Sequence, residues 1–130
     1  MKNQDPTAVV IARKHIDAWS NHNWDLTREL LAPDIHVLVT NTDPMKTATE
    51  LTGIEAYMGP KIKAAQLIEP GSVYELSAIG DEHNALIVVT FRIGLGSGGS
   101  MVTLARACLY LIDENKKIKE ERDMFYILPE

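Results

Sequence analysis

The sequence predicts an α+β fold in one domain spanning residues 1–130. Three observations carry this. Helical spacing of apolar residues dominates the chain before Pro70-Gly71,. Period-two alternation takes over afterwards, and the long extended runs follow one another across short polar turns,. Helices thus precede most strands, which is α+β order rather than repeated strand-helix-strand units. A length of 130 residues suits one hydrophobic core, and 45% apolar with 24% charged residues excludes a disordered or fibrous chain,.

The first helix is predicted over about residues 6 to 20. Asp5-Pro6 offers a cap followed by proline at the first helical position, and Ala8, Ile11, Ala12, His15, Ile16 and Trp19 recur at helical spacing,. After SNHN, the residues Trp24, Leu26, Leu30 and Leu31 predict a second helix to about residue 32, halted before Pro33,. From Asp34 the period changes to two, with Ile35, Val37 and Val39 on one face of a first strand, and NTDP supplies turn chemistry,. Thr52-Gly-Ile-Glu55 matches a capping box for a third helix through Tyr57, Met58, Ile62 and Ala65, in which Pro60 should cause a kink or break,. Four strands are then expected at Ser72 to Ile79, Ala85 to Ile93, Met101 to Ile112 and Ile118 to Leu128, paired antiparallel across GDEHN, a glycine loop and DENKK,.

A net charge of -5, with Lys116, Lys117 and Lys119 interleaved among acids, argues against a nucleic-acid partner,. No apolar run reaches membrane-spanning length, and no membrane partner is expected,. The N-terminus MKNQDPTAVVIARKH lacks a leader pattern and Cys108 has no partner for a disulfide, so a reducing cytoplasm is the expected location,.

The stretch GLGSGG fits G-x-G-x-x-G through Gly94, Gly96 and Gly99. A dinucleotide site needs a helix N-terminus after such a turn, and the next segment, SMVTLARACLYLI, is β-rich; a hairpin loop is predicted instead. No cofactor is expected, and no His, Cys or carboxylate spacing reads as a metal site.

Chemistry-bearing residues stand out by position. In Ala85 to Ile93 the core face is Ile87, Val89 and Phe91. In Ile118 to Leu128 neither parity set is cleanly apolar, so either charge points into a cavity or the outer face is covered. Arg106 stands in an otherwise apolar or small strand and needs a partner, for which Asp123 and Glu121 are the candidates; a structural salt bridge, a dimer-interface pair and a pocket role all fit. His15 lies on the apolar stripe of the first helix, as a packed core histidine or, if a sheet carboxylate faces it, as an acid–base group. Cys108 reads as an inert buried thiol.

The segments ARKHIDAWSNHNWDLTRELLAPDIHV, TGIEAYM and LYLIDENKKIKEERDMFYI resemble the NTF2-like superfamily, and in particular its SnoaL-like branch, which includes polyketide cyclases; the likeness covers nearly the whole chain. It implies a cone of three N-terminal helices packed on a strongly curved, mainly antiparallel sheet, enclosing an apolar pocket for a small hydrophobic ligand or substrate. It also implies a homodimer through the outer sheet face. Ketosteroid isomerases of this fold use a tyrosine, an aspartate base and a second acid where gap-free matching puts His15, Val39 and Cys108, so that machinery is missing here. Limonene-epoxide hydrolases carry a final-strand aspartate matched by Asp123, but VVTFRIG does not reproduce their other Arg and Asp. SnoaL-like cyclases use an acid as general base in the pocket. The resemblance thus implies Asp123, His15 and Arg106 as catalytic candidates. Trp19, Tyr57, Met58, Phe91, Cys108, Glu121 and Phe125 would line the ligand site. The implied function is ligand binding with cofactor-independent isomerase, cyclase, dehydratase or hydrolase chemistry; a non-catalytic binding or protein-interaction module is the alternative.

Overall fold

A computed structural model describes residues 5–40, 45–95 and 100–129. Helix α1 (Thr7–Ser20) forms where the sequence predicts it, because Ala8, Ile11, Ala12, Ile16 and Trp19 share one buried face,. Its start differs from the expectation. Pro6 is the cap residue and makes no side-chain cap bond, while the Asp5 carboxylate pairs with Arg13.

Helix α2 (Trp24–Glu29) begins at Asn23, whose side chain accepts from the Leu26 amide at 3.2 Å,. It ends earlier than expected, because Leu31 already belongs to strand β1 (Leu31–Val39). Pro33 bars the helix but is accommodated inside the strand, where the register with its neighbour shifts between Leu31 and His36 and a ladder N–H is not required,. Strand β2 (Thr49–Thr52) has no counterpart in the sequence reading; it is short and mostly exposed, and exists by pairing with β1. The NTDP turn lies outside the described residues.

Helix α3 (Ile54–Ala65) follows β2, so the three helices among the described residues are not all N-terminal to the sheet, contrary to the cone expected. Gly53, at φ +93°, is its cap residue in place of Thr52, which makes no cap bond,. The helix runs through Pro60 without interruption. Strands β3 (Tyr74–Gly80), β4 (Asn84–Leu95), β5 (Ser100–Ile112) and β6 (Ile118–Ile127) match the four predicted.

The six strands form one mixed sheet in the order β2-β1-β6-β5-β4-β3. The β1–β2, β3–β4, β4–β5 and β5–β6 pairs are antiparallel, but β1 and β6 run parallel, with Val37 opposite Glu121 and Val39 opposite Asp123. β4 and β5 remain paired to Leu95 and Ser100, so a strand, not a helix, follows the glycine loop. Gly96 and Gly99 lie outside the described residues.

α1 packs on β3, β4 and β5, and α3 on β1 and β2. The core fills the space between, with Ile35, Val37, Ile87, Val89, Phe91 and Tyr110 all buried on the helix-facing side; each large apolar side chain so buried contributes about 1.5–3 kcal/mol. No helix among the described residues is long and apolar enough to cross a membrane.

Candidate functional site

The site is set by alternation along two central strands. On β5, Arg106, Cys108 and Tyr110 face the helices at two-residue spacing; on β6, Glu121, Asp123 and Phe125 do the same,. The mixed parity of the last strand has a local cause. Ile112 pairs with Ile118 and Leu111 with Glu120, so Lys119 is an extra residue that switches faces, and both Ile118 and Glu121 point inward,. The main chain around Asp123 is pinned to the end of β1: the Thr40 amide donates to its carbonyl at 2.9 Å, and the Phe125 amide donates to the Thr40 hydroxyl at 3.3 Å.

A cavity of about 320 Å³ opens between α3 and this face of the sheet. Asp123, Arg106, Tyr57, Phe91 and Phe125 line it, and the remaining wall is largely aliphatic. His15 and Glu121 lie behind Tyr57, fully buried, while Trp19, Met58 and Cys108 belong to the core and not to the cavity lining. A wider surface hollow of about 630 Å³ around His83 and Asp113 is bordered by turn residues and the adjoining strand ends and lies away from these buried polar groups.

Arg106 Nη2 donates to Asp123 Oδ2 and lies 3.7 Å from Glu121 Oε2. The two carboxyls thus share one guanidinium but differ in their surroundings. Burial, opposed by Arg106 and aided by Glu121, pushes Asp123 up to about 7,. For Glu121, burial works in the same upward direction but is outweighed by the nearby cations Lys61 and Arg106 and by the bond from Tyr57, so it stays below its usual value. Of the two, Asp123 is the carboxyl that takes up a proton first, as pH falls through about 7. Its Oδ1 has no hydrogen-bond partner among the described residues.

Behind the carboxyls runs a buried relay. Tyr57 donates to Glu121 Oε1 at 3.2 Å; His15 Nε2 lies 2.9 Å from the Tyr57 hydroxyl, and His15 Nδ1 3.0 Å from that of Tyr110. Burial, with Lys61, holds His15 well below its ordinary pKa, so the ring is neutral,. With Tyr57 donating to a carboxylate, the neutral ring satisfies both tyrosines as the Nε2–H tautomer: Nε2 donates to Tyr57 and Nδ1 accepts from Tyr110. His15 is thus a core residue whose hydrogen bonds reach the sheet acids through Tyr57.

Two residues of the site escaped the sequence reading. Lys61 is 8% exposed, lines the cavity, and places Nζ 4.3 Å from the centre of the Trp19 ring,. Its signal was present, since it lies three residues after Met58 and four before Ala65 on the buried stripe of α3,. Tyr110 was legible as the third inward residue after Arg106 and Cys108. Burial first, then Asp123, pushes the Cys108 thiol well up, so it stays protonated,. Among the described residues no group of three or more His, Cys, Asp or Glu side chains could hold a metal ion.

No protein-family model and no curated protein matches the sequence. Solved structures do match the fold. A SnoaL-like polyketide cyclase candidate from Jannaschia sp. CCS1 superposes with a TM-score of 0.77 at 15% identity, covering 96% of this chain and 91% of that one. A protein with ketosteroid isomerase-like fold from Catenulispora acidiphila DSM 44928, in complex with trimethylamine, gives 0.70 at 18% identity over 87% and 82%. An LEH-like epoxide hydrolase from M. tuberculosis gives 0.68 at 16% over 92% and 82%. At these identities the likeness is one of fold, and with an NTF2-like protein from Burkholderia xenovorans LB400 at a TM-score of 0.73 and 15% identity over 92% of this chain and 88% of that one, the chain has the NTF2-like α+β fold that SnoaL-like, ketosteroid isomerase-like and LEH-like proteins share.

Proposed function

We propose that this protein binds a small hydrophobic molecule in the cavity beneath α3 and performs cofactor-independent acid–base chemistry on it, of isomerase, cyclase, dehydratase or hydrolase type, with Asp123 moving the proton. The observation that carries this reading is the state of Asp123: a buried carboxyl lining a mostly aliphatic and aromatic cavity, with Oδ1 unbonded among the described residues and a pKa pushed up to about 7. A group so tuned exchanges protons near neutral pH, where an ordinary aspartate is a poor base. Arg106 positions it by ion pairing, and Glu121, Tyr57 and His15 hold the second carboxyl in place.

The test is Asp123→Asn, assayed against epoxides and enolisable ketones with binding measured in parallel. Turnover should fall by about 10²-fold or more, while ligand affinity and the folded spectrum persist. Turnover at the wild-type rate in this variant would remove Asp123 from the chemistry.

A second reading, a non-catalytic binder, is favoured by the same ion pair, because Arg106 stabilises the anion and weakens it as a base,. Recovery of every candidate substrate unchanged after long incubation, with saturable binding intact, would decide for it. On the opposite sheet face we propose a homodimer contact. There Met124 and Tyr126, 48% and 61% exposed, stand beside Leu86, Val88 and Leu109 across three adjacent strands,.

A further inference from the structure

The cavity holds two cations that its own residues do not fully answer. Lys61 Nζ and Arg106 Nε are buried with no hydrogen-bond partner among the described residues. Both groups lie against the same indole, Nζ at 4.3 Å and the Arg106 guanidinium carbon at 5.5 Å from the Trp19 ring centre, and both line the cavity. Facing them are Asp123, whose Oδ2 accepts from Arg106, and Glu121, whose Oε2 lies 3.7 Å from the same guanidinium, so both acids lean on Arg106 and neither bonds Lys61 Nζ. Burial and then Arg106 pull the Lys61 pKa below its ordinary value, against the weaker opposing pull of Glu121 and Asp123,. A buried charge without a partner is costly, and a ligand that supplies the partner recovers that cost on binding.

We propose that the molecule this cavity takes is a small apolar acid bound as its anion, with the charged oxygen accepting from Lys61 Nζ and Arg106 Nε and the apolar body against Phe91, Phe125 and the aliphatic wall. The inference rests on the ligand-cavity reading above and names its ligand class. The oxygen would lie near Asp123, so a carbon next to the acid group comes within reach of the proton-transferring carboxyl. A volume of about 320 Å³ fits a compact molecule rather than a polycyclic one,.

The experiment is calorimetric titration of the full chain, wild type and Lys61→Met, with 3-phenylpropanoate and with 3-phenylpropan-1-ol, which share a body and differ in charge. Wild type should bind the acid about tenfold more tightly or better. Lys61→Met should lose that preference and keep the alcohol, and Lys61→Arg should restore it. Equal affinity of wild type for acid and alcohol would overturn the anion while leaving a ligand cavity in place. Retention of the preference in Lys61→Met, or loss of both ligands from a folded Lys61→Met, would also overturn it. Binding of neither compound would count against the cavity reading itself. The wild-type comparison decides the matter even if a variant does not fold.

Discussion

One residue separates Glu121 from Asp123, so the strand pleat presents both carboxyls to the same buried face, where two charges are not tolerated side by side,. Their environments split them. Glu121 is answered by Tyr57 and the nearby cations, and the proton settles on Asp123. If Asp123 acts as a base it must first lose that proton, so kcat/KM should rise with pH through about 7 and level off above it,. A flat profile across that range in a pH–rate series would contradict the assignment. The same shift has a cost with a definite sign. The unfolded chain releases this proton near 3.8 and the folded chain near 7, so stability from Asp123 declines as pH rises between them and the cost is complete above about 7,. Lys61, held below its ordinary value, adds a cost of the opposite pH sense, one that grows as pH falls and that a bound anion would relieve,.

Among the elements, the β3–β4 hairpin shows how closely the backbone is drawn together under α1. A Cβ on Gly80 would stand 2.2 Å from the Asn84 carbonyl oxygen, 2.9 Å from Ala85 Cα and 3.0 Å from a Val9 methyl. Two of these are backbone atoms that give way only by opening the hairpin. Gly80→Ala should therefore destabilise by roughly 1–3 kcal/mol, read as a lowered midpoint in chemical denaturation with the slope unchanged. An unaltered midpoint would show that the turn relaxes freely. The boundaries of α2 and β1 follow a different logic. Leu30 and Leu31 continue a helical spacing, and the residue before Pro33 merely ends it on local grounds; β6 then offers Leu31 a ladder partner in Ile118, and pairing wins,.

The whole molecule has two unlike sheet faces. One carries the core, the acids and the cavity; the other carries exposed Met124 and Tyr126 beside half-buried Leu86, Val88 and Leu109. A monomer seldom leaves such an area uncovered. In sedimentation analysis the wild type should run as a dimer and Tyr126→Arg combined with Met124→Glu as a folded monomer, since charges of either sign are costly in a desolvated contact. A wild-type monomer at micromolar concentration would end the dimer proposal. Ligand binding in the monomeric variant should persist, because the cavity residues come from one chain.

Local chemistry made much of this legible in the sequence. Apolar periodicity fixed α1, α3 and the four long strands, and two-residue spacing grouped Glu121, Asp123 and Phe125 on one side of the last strand, because alternation is a property of the strand itself; that this side faces the pocket together with Arg106 came from the family resemblance. Long-range pairing decided the rest. β2 is too short and polar to announce itself and needs the edge of β1; the parallel β1–β6 contact joins segments far apart in the chain; the extra residue at Lys119 blurs the parity of β6 until its partner is known. Which charges meet is likewise tertiary. His15, Lys61, Tyr57 and Tyr110 come from three different elements, and only their packing reveals that the histidine is neutral, that the lysine has no hydrogen-bond partner among the described residues, and that Asp123 is the carboxyl raised to about 7.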